Sequence, residues 1–467
     1  MTWRGVGILG AACVLGVSVL GWPATASALN PPTVHDGALG AAQALSGRPA
    51  PMEPTEQRTV CSEPKLAGAA PVEPPMAQHV LNLPTAWQFS RGAGQKVAVI
   101  DTGVTRHPRL PALQPGGDYV SDSDGTFDCD GHGTFVAGII AAQPSPADAF
   151  TGVAPEAEIL SIRQLSLAFE PKDRRAQADP GAIVDSGYGN VLTLAGAVVR
   201  AVDLGATVIN ISEVACTAAY ANPADDALGA AVKYAYERNV VVVAAAGNVA
   251  SQGACATQNE KSGWDSVSTV ASPAWFTPYV LAVGSIDASG APSALSLNGP
   301  WVGVAAIGRN IVSLDSRAGG TGVVDRVQTS DGPQPIEGTS FAAPYVSGLA
   351  ALVRSRYPQL TAAQVIDRIK RTAHAPGIGR DDKIGHGLID PVSALTAYLP
   401  DQPAAEGGPA PRAIAPPFRP PAPDPLPRRV AVFGAAGCVA LLVIGAAVAI
   451  PFRRERDDDL PDFDSEL

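Results

Sequence analysis

The strongest constraint on the fold of this chain is a recurring one. Short, almost continuous apolar runs alternate with longer stretches of helical spacing. Lys96 to Asp101, Ile159 to Leu165, Thr207 to Ser212, Val240 to Ala246, Val280 to Ile286 and Val302 to Ile307 are such runs, and they read as strands buried on both faces. Between and after them, Leu192 to Leu204, Ala224 to Arg238, Ser340 to Arg354 and Thr361 to Thr372 read as helices, the last with Thr361 as its N-cap. Buried strands alternating with helices predict an α/β fold, with a mostly parallel sheet between helices on both faces. In such a sheet the carboxyl ends of the strands face the functional crevice.

The ends of the chain read differently. Arg4, the charge-free apolar segment Gly5 to Gly21 and the small-x-small site Ala26-Ser27-Ala28 predict a secretory signal over residues 1–28. Val430 to Ile450 is an uninterrupted apolar run long enough to span a bilayer, with Arg428 and Arg429 before it and Arg453, Arg454 and Arg456 after it. The flanking charges nearly balance, so the export signal sets the orientation: the body lies outside and a short tail, 452–467, stays in the cytoplasm. The expected organisation is an extended Pro- and Ala-rich arm over 29–84, a folded domain over 85–399, a Pro-rich linker over 400–429 and a membrane helix over 430–451. Within the domain, Ser166 to Asn190 is polar, carries the cluster Lys172-Asp173-Arg174-Arg175, and reads as a surface insertion.

Export also bears on the cysteines. Cys13 and Cys438 lie in apolar segments, which leaves Cys61, Cys129, Cys216 and Cys255 for the body. In an oxidising compartment these are expected to pair, and four cysteines allow three connectivities. None is spaced as a zinc pair. The grouping Asp122, Asp124 and Asp128 reads as a solvated loop rather than a cation site, so neither a metal nor a cofactor is expected. The net charge of −11, with no basic block, argues against a nucleic-acid partner.

Candidate functional residues stand where strands end or helices begin. Asp101 closes the first strand, ahead of Thr102-Gly103, where an aspartate is as readily a turn cap. His132 sits between Gly131 and Gly133 at the start of an apolar helix, and the glycines permit close approach of backbone and substrate. Asn248 follows Gly247 at the end of the most apolar strand. Ser340 opens the helix that follows Gly338-Thr339, with Pro344 in its first turn. A hydroxyl there lies near backbone N–H groups that lack intrahelical partners, although serine is also a common N-cap. A serine nucleophile needs a base, an acid that orients the base, and donors for the developing oxyanion. His132, Asp101, and the Ser340 N–H with the Asn248 amide fill those roles.

These motifs and their order resemble the subtilisin-like serine proteases, in which the triad runs Asp, His, Ser. Val99-Ile100-Asp101-Thr102-Gly103, Gly131-His132-Gly133-Thr134, Gly338-Thr339-Ser340-Phe341-Ala342-Ala343-Pro344 and Ala245-Ala246-Gly247-Asn248 all match, and the likeness covers about Leu83 to Thr396. It implies the subtilisin-like three-layer fold. The wider layout is similar to the mycosins, the membrane-anchored subtilases of type VII secretion systems. That resemblance implies the pairs Cys61–Cys129 and Cys216–Cys255. It also implies an arm that lies along the protease without blocking it, substrates among the proteins that pathway exports, and other membrane subunits of the secretion complex as partners. The chain departs from many secreted subtilases after Ser212, where Glu213-Val214 replaces Leu-Gly in the backbone that lines the substrate pocket, so a narrower, more selective pocket is expected. Phe341 stands where methionine is usual. The expected function is a membrane-anchored serine endopeptidase of narrow specificity. The alternative is a subunit of the secretion complex whose proteolysis is dispensable. A non-proteolytic binding module would lack a triad residue, and a nutrient protease would not be anchored.

Overall fold

The computed structural model describes residues 29–173, 181–183, 186–250, 255–329, 332–403 and 426–457. The expected signal, most of the linker and the end of the tail lie outside them. The apolar runs become strands β1 (Lys96–Asp101), β3 (Glu158–Arg163), β4 (Val208–Ile211), β5 (Val241–Ala245), β6 (Val280–Ile286) and β7 (Val302–Ile307). With β2 (Leu113–Asp118) they form a seven-stranded sheet of order β7-β6-β5-β4-β1-β3-β2, and every pairing in it is parallel.

Side-chain alternation along the strands builds the layers. Val97, Val99, Val208, Val241 and Val243 point into one core, which they share with Phe135, Val136 and Ile139 of helix α2 (His132–Ala141) and with helix α5 (Thr339–Arg356). Ala98, Ile100, Ile209, Ile211 and Val242 point into the other core, against α3 (Val191–Asp203) and α4 (Asp226–Glu237). Helix α6 (Ala362–Thr372) starts at Thr361, which forms a reciprocal capping box with Gln364. From β1 the chain first builds β2 and β3 on one side and then β4 to β7 on the other. The strand order therefore reverses beside β1, and Asp101 ends β1 at the position where open sheets bind ligands.

Strand β2 had no apolar signature. Its sequence, Leu-Gln-Pro-Gly-Gly-Asp, is tolerated because β2 is an edge strand with a register shift between Pro115 and Gly117. The arm also differs from the expected extended segment. Residues Leu39–Ser46 form helix α1, which packs on α3. A Cβ at Gly196 of α3 would stand 2.8 Å from Leu45 Cβ, so glycine makes that approach possible. Arg200 Nη1 donates to Ser46 O and the Tyr119 hydroxyl donates to Leu45 O, fixing the end of α1. Such a short helix buries Ala42 and Ser46 rather than a broad apolar stripe, which is why the sequence did not mark it.

Farther on, Thr55–Gln57 pairs antiparallel with Phe169–Pro171 of the Ser166–Asn190 insertion, so the insertion serves as a strand partner for the arm. The Cys61–Cys129 disulfide fastens the arm to the loop before α2, and Cys216–Cys255 closes the second bridge. The C-terminal unit holds helix α7 (Leu426–Asp457), which contains an 18-residue window of mean hydropathy 2.4 and is long and apolar enough to cross a membrane.

Replacing Gly196 by Leu is expected to displace α1. Overpacking of this kind costs about 1–3 kcal/mol. A lower thermal midpoint and faster limited proteolysis near residue 46 would register the change; a cleavage pattern like the parent's would contradict the packing described.

Candidate active site

Asp101 is fully buried at the end of β1. Its Oδ1 accepts the Thr102 N–H at 2.7 Å and lies 2.7 Å from His132 Nδ1. His132 is the first residue of α2, entered through Gly131 at φ 85°. Gly133 makes the contact with β1 possible, since a Cβ there would stand 3.1 Å from Asp101 Oδ1 and overlap the Gly103 carbonyl. With Nδ1 turned to a carboxylate, Nε2 is the nitrogen left to exchange a proton.

A web of bonds holds the helix start against the strand end. Asp128 accepts from Gly131 N at 2.7 Å, Thr134 N at 2.9 Å, Thr134 Oγ1 at 2.6 Å and Thr102 Oγ1 at 2.8 Å. Thr102 Oγ1 in turn accepts from Gly133 N at 2.9 Å. Burial pushes the Asp128 carboxyl up to about 6, against the opposing effect of these bonds. Asp128 thus acts as the brace of the histidine loop. Asp124 instead caps Thr126 and faces Arg106 at 3.6 Å. No sequence signal separated Asp128 from an ordinary loop aspartate.

Ser340 is the second residue of α5, which begins at Thr339 with Gly338 as its N-cap. The helix therefore starts one residue earlier than expected, and Pro344 falls beyond its first turn. That position has a consequence. Pro344 has no N–H to donate to the carbonyl four residues back, which is that of Ser340. The Ser212 hydroxyl donates to this carbonyl instead, at 2.7 Å. Asn210 Nδ2 donates to Ser212 Oγ at 2.9 Å, and Ser347 Oγ donates to Asn210 Oδ1 at 2.8 Å, so the substitute partner is itself fixed. Ser212, expected to line the substrate pocket, uses its side chain to seat the serine helix. Val214, expected beside it, packs partly buried against the α3–α4 core.

Asn248 follows β5 after Gly247. Its Oδ1 accepts from Thr339 N at 2.9 Å and Thr339 Oγ1 at 3.1 Å, which leaves Nδ2 facing the serine. Gly338 has φ 146°, and a Cβ built on it would lie 3.0 Å from Ser340 Oγ and 3.3 Å from Asn248 Nδ2. The hydroxyl and the amide thus face a common space beside Gly338 that a side chain would fill. The His132 and Phe341 rings are 4.9 Å apart, centroid to centroid, which sets the imidazole beside the residue after Ser340. Among the described residues, Ser340 Oγ and His132 are not hydrogen-bonded; such contacts commonly close only when substrate is bound.

Glu213 takes a position the sequence did not indicate. Its Oε1 lies 3.4 Å from His132 Nδ1, with 22% of its side chain exposed and 23% of the histidine's. The ligand atoms of Asp101, His132 and Glu213 all lie within 4.8 Å of one another, the spacing of an ion-binding group, but the histidine nitrogen is already engaged by Asp101. Burial alone would lower the His132 pKa. The Asp101 carboxylate, and after it Glu213, outweigh burial, and the net direction is upward. Burial raises the Glu213 pKa, with His132 opposing.

Comparison with known proteins finds related chains and structures. The subtilase family model matches residues 92–387. Mycosin-4 of Mycobacterium tuberculosis is 46% identical over 97% of this chain and 98% of its own. A crystal structure of MycP1 from Mycobacterium smegmatis superposes with a TM-score of 0.74 at 44% identity, covering 83% of this chain and all of that one. A chain of an intact ESX-5 inner membrane complex gives a TM-score of 0.74 at 42% identity, covering 91% of this chain and all of that one.

Ser212→Ala should leave the Ser340 carbonyl without its partner, at a cost of about 1–3 kcal/mol. In a Pro344→Ala background the restored N–H serves the same carbonyl, so removing Ser212 should cost less there. Thermal midpoints of the parent, both single variants and the double variant test this; strictly additive shifts would contradict the role assigned to Pro344.

Proposed function

The chain belongs to the subtilase family, and within it to the mycosins, and from that premise we propose that it is a membrane-anchored serine endopeptidase of narrow specificity that acts in a type VII secretion assembly. Ser340 is the nucleophile, His132 its general base and Asp101 the group that orients His132. The observation that carries this reading is the 2.7 Å contact of Asp101 with His132 Nδ1, beside a serine whose helix start and the Asn248 amide face one space.

In the proposed reaction a peptide carbonyl enters the space beside Gly338, and Ser340 Oγ attacks its carbon. His132 Nε2 takes the hydroxyl proton, and Asp101 stabilises the imidazolium. The oxyanion is met by Asn248 Nδ2 and by the N–H groups at the start of α5, whose dipole favours negative charge there. His132 then passes its proton to the leaving amine, and water repeats the cycle on the acyl-enzyme. Backbone from Ser212 to Val214 lies along the path of the substrate. Phe341 packs against the base.

The substrates under this reading are proteins exported by the pathway, and the partners are other membrane subunits. The similarity to a chain of an ESX-5 inner membrane complex supports the second. The proposed layout is a signal over 1–28, an arm over 29–84, the protease domain over 85–399, a linker over 400–429, a membrane helix over 430–451 and a cytoplasmic tail over 452–467. The apolar helix α7 supports the anchor, with the protease domain on the extracytoplasmic side. The same similarity favours a second reading, in which the protein serves the complex mainly as a structural subunit.

Fluorophosphonate labelling of the full-length chain in detergent tests the proposal. The parent should label and Ser340→Ala should not. Asn248→Ala should slow peptide hydrolysis by about 100- to 1,000-fold. A parent that never labels, or a Ser340→Ala variant that does, would overturn the assignment; rapid digestion of casein would overturn narrow specificity. A complex that forms normally with Ser340→Ala, and keeps every function of the parent, would favour the structural reading.

A further inference from the structure

Strand β4 ends at Ile211 and Ser212 turns in to the Ser340 carbonyl, so the next side chain, Glu213, emerges over His132. The reaction described above requires a single carboxylate at Nδ1, and the site has two. Asp101 Oδ1 lies 2.7 Å from Nδ1 and Glu213 Oε1 lies 3.4 Å from it, so two carboxylates compete for one N–H and Asp101 is the closer. Glu213 makes no other hydrogen bond or ion pair among the described residues.

The elements packed around the pair add more negative charge. Strand β1 contributes Asp101. The loop before α2 contributes Asp128, bound to the helix start, and Asp130, which accepts from Ser166 Oγ at 2.6 Å and Leu167 N at 2.8 Å. Strand β3 contributes the cation Arg163, but its guanidinium binds Asp118 at 3.2 Å and lies over the Phe127 and Phe169 rings. The first turn of α5 brings the neutral Ser340 and Phe341. Arg163 therefore acts on Asp118 and, electrostatically, on Asp130, and no lysine or arginine pairs with Glu213 among the described residues. Carboxylates held this close in partly buried surroundings retain a proton within the group, because the proton removes one of the opposed charges. When that proton sits on the imidazole, Nε2 is occupied and cannot take the Ser340 proton.

We propose that Glu213 is a positioning residue that holds His132 in its protonated form at neutral pH, so that the protease idles until the Glu213–His132 pair releases a proton to solvent. The proposal rests on the reading of His132 as general base. Removing the Glu213 charge weakens the attraction for that proton, so His132 becomes a free base at lower pH. Glu213 is bonded to neither the nucleophile nor the oxyanion donors, so its effect is read in the position of the acid limb rather than in the height of the alkaline plateau.

The test is the second-order rate of fluorophosphonate labelling of the full-length protein in detergent, followed from about pH 5 to pH 10. It compares the parent, Glu213→Gln and Glu213→Asp, with Ser340→Ala as the blank. The acid limb of Glu213→Gln should lie about one to three pH units below that of the parent. Its rate near pH 7, as a fraction of its own alkaline plateau, should be about tenfold higher or more. Glu213→Asp, which keeps the charge, should fall closer to the parent than to Glu213→Gln. Coincident acid limbs for the parent and Glu213→Gln would overturn the proposal. So would a Glu213→Gln rate depressed by one factor at every pH, which is the signature of lost packing. If the parent fails to label even at the alkaline end, the general-base reading itself falls, and this inference falls with it.

Discussion

The site depends on the contact between Asp101 and His132, a 2.7 Å bond between the end of one strand and the start of one helix. Neither residue could hold it alone. Gly133 lets the backbone of α2 approach Asp101, and Gly131 supplies the positive φ from which the helix begins. Asp128 and Thr102 then tie the two elements together with four bonds to Asp128 and one to Thr102. The Cys61–Cys129 bridge anchors the same loop to the arm. The geometry of the imidazole is therefore set by backbone and by buried polar groups, a rigid support of the kind that a proton-transfer site requires.

The serine side follows the same logic with different means. Pro344 removes a helical donor, the Ser340 carbonyl is left open, and a chain of hydroxyl and amide groups from β4 and α5 fills the gap. A proline that would weaken an ordinary helix here couples the Ser340 backbone to the central sheet. Thr339, beside the serine, fixes the Asn248 orientation: its N–H and hydroxyl donate to Oδ1, so the amide N–H groups turn to the serine.

Much of this could be read from residue order because the candidate groups sit at boundaries, where an apolar run stops or starts. Asp101, His132, Asn248 and Ser340 were all marked that way, as was the Thr361 cap. What escaped was of two kinds. Leu113–Asp118 and Leu39–Ser46 owe their structure to tertiary neighbours, an edge position in one case and a glycine on a facing helix in the other. Side-chain direction was the second: the sequence pointed to the backbone after Ser212 as pocket lining but did not show that the Ser212 side chain turns to the serine helix and that of Glu213 to His132. Backbone at a strand end fixes which residues are near the crevice, but the turn that follows decides what each one touches.

The measurement that addresses the central contact most directly is a nitrogen-15 NMR titration of the His132 ring in the histidine-labelled full-length protein, with Asp101→Asn as the comparison. The account predicts that His132 titrates well above the ordinary histidine value of about 6.5 and that the rise shrinks when Asp101 loses its charge. A His132 that titrates at or below that ordinary value, indifferent to the residue at 101, would contradict it.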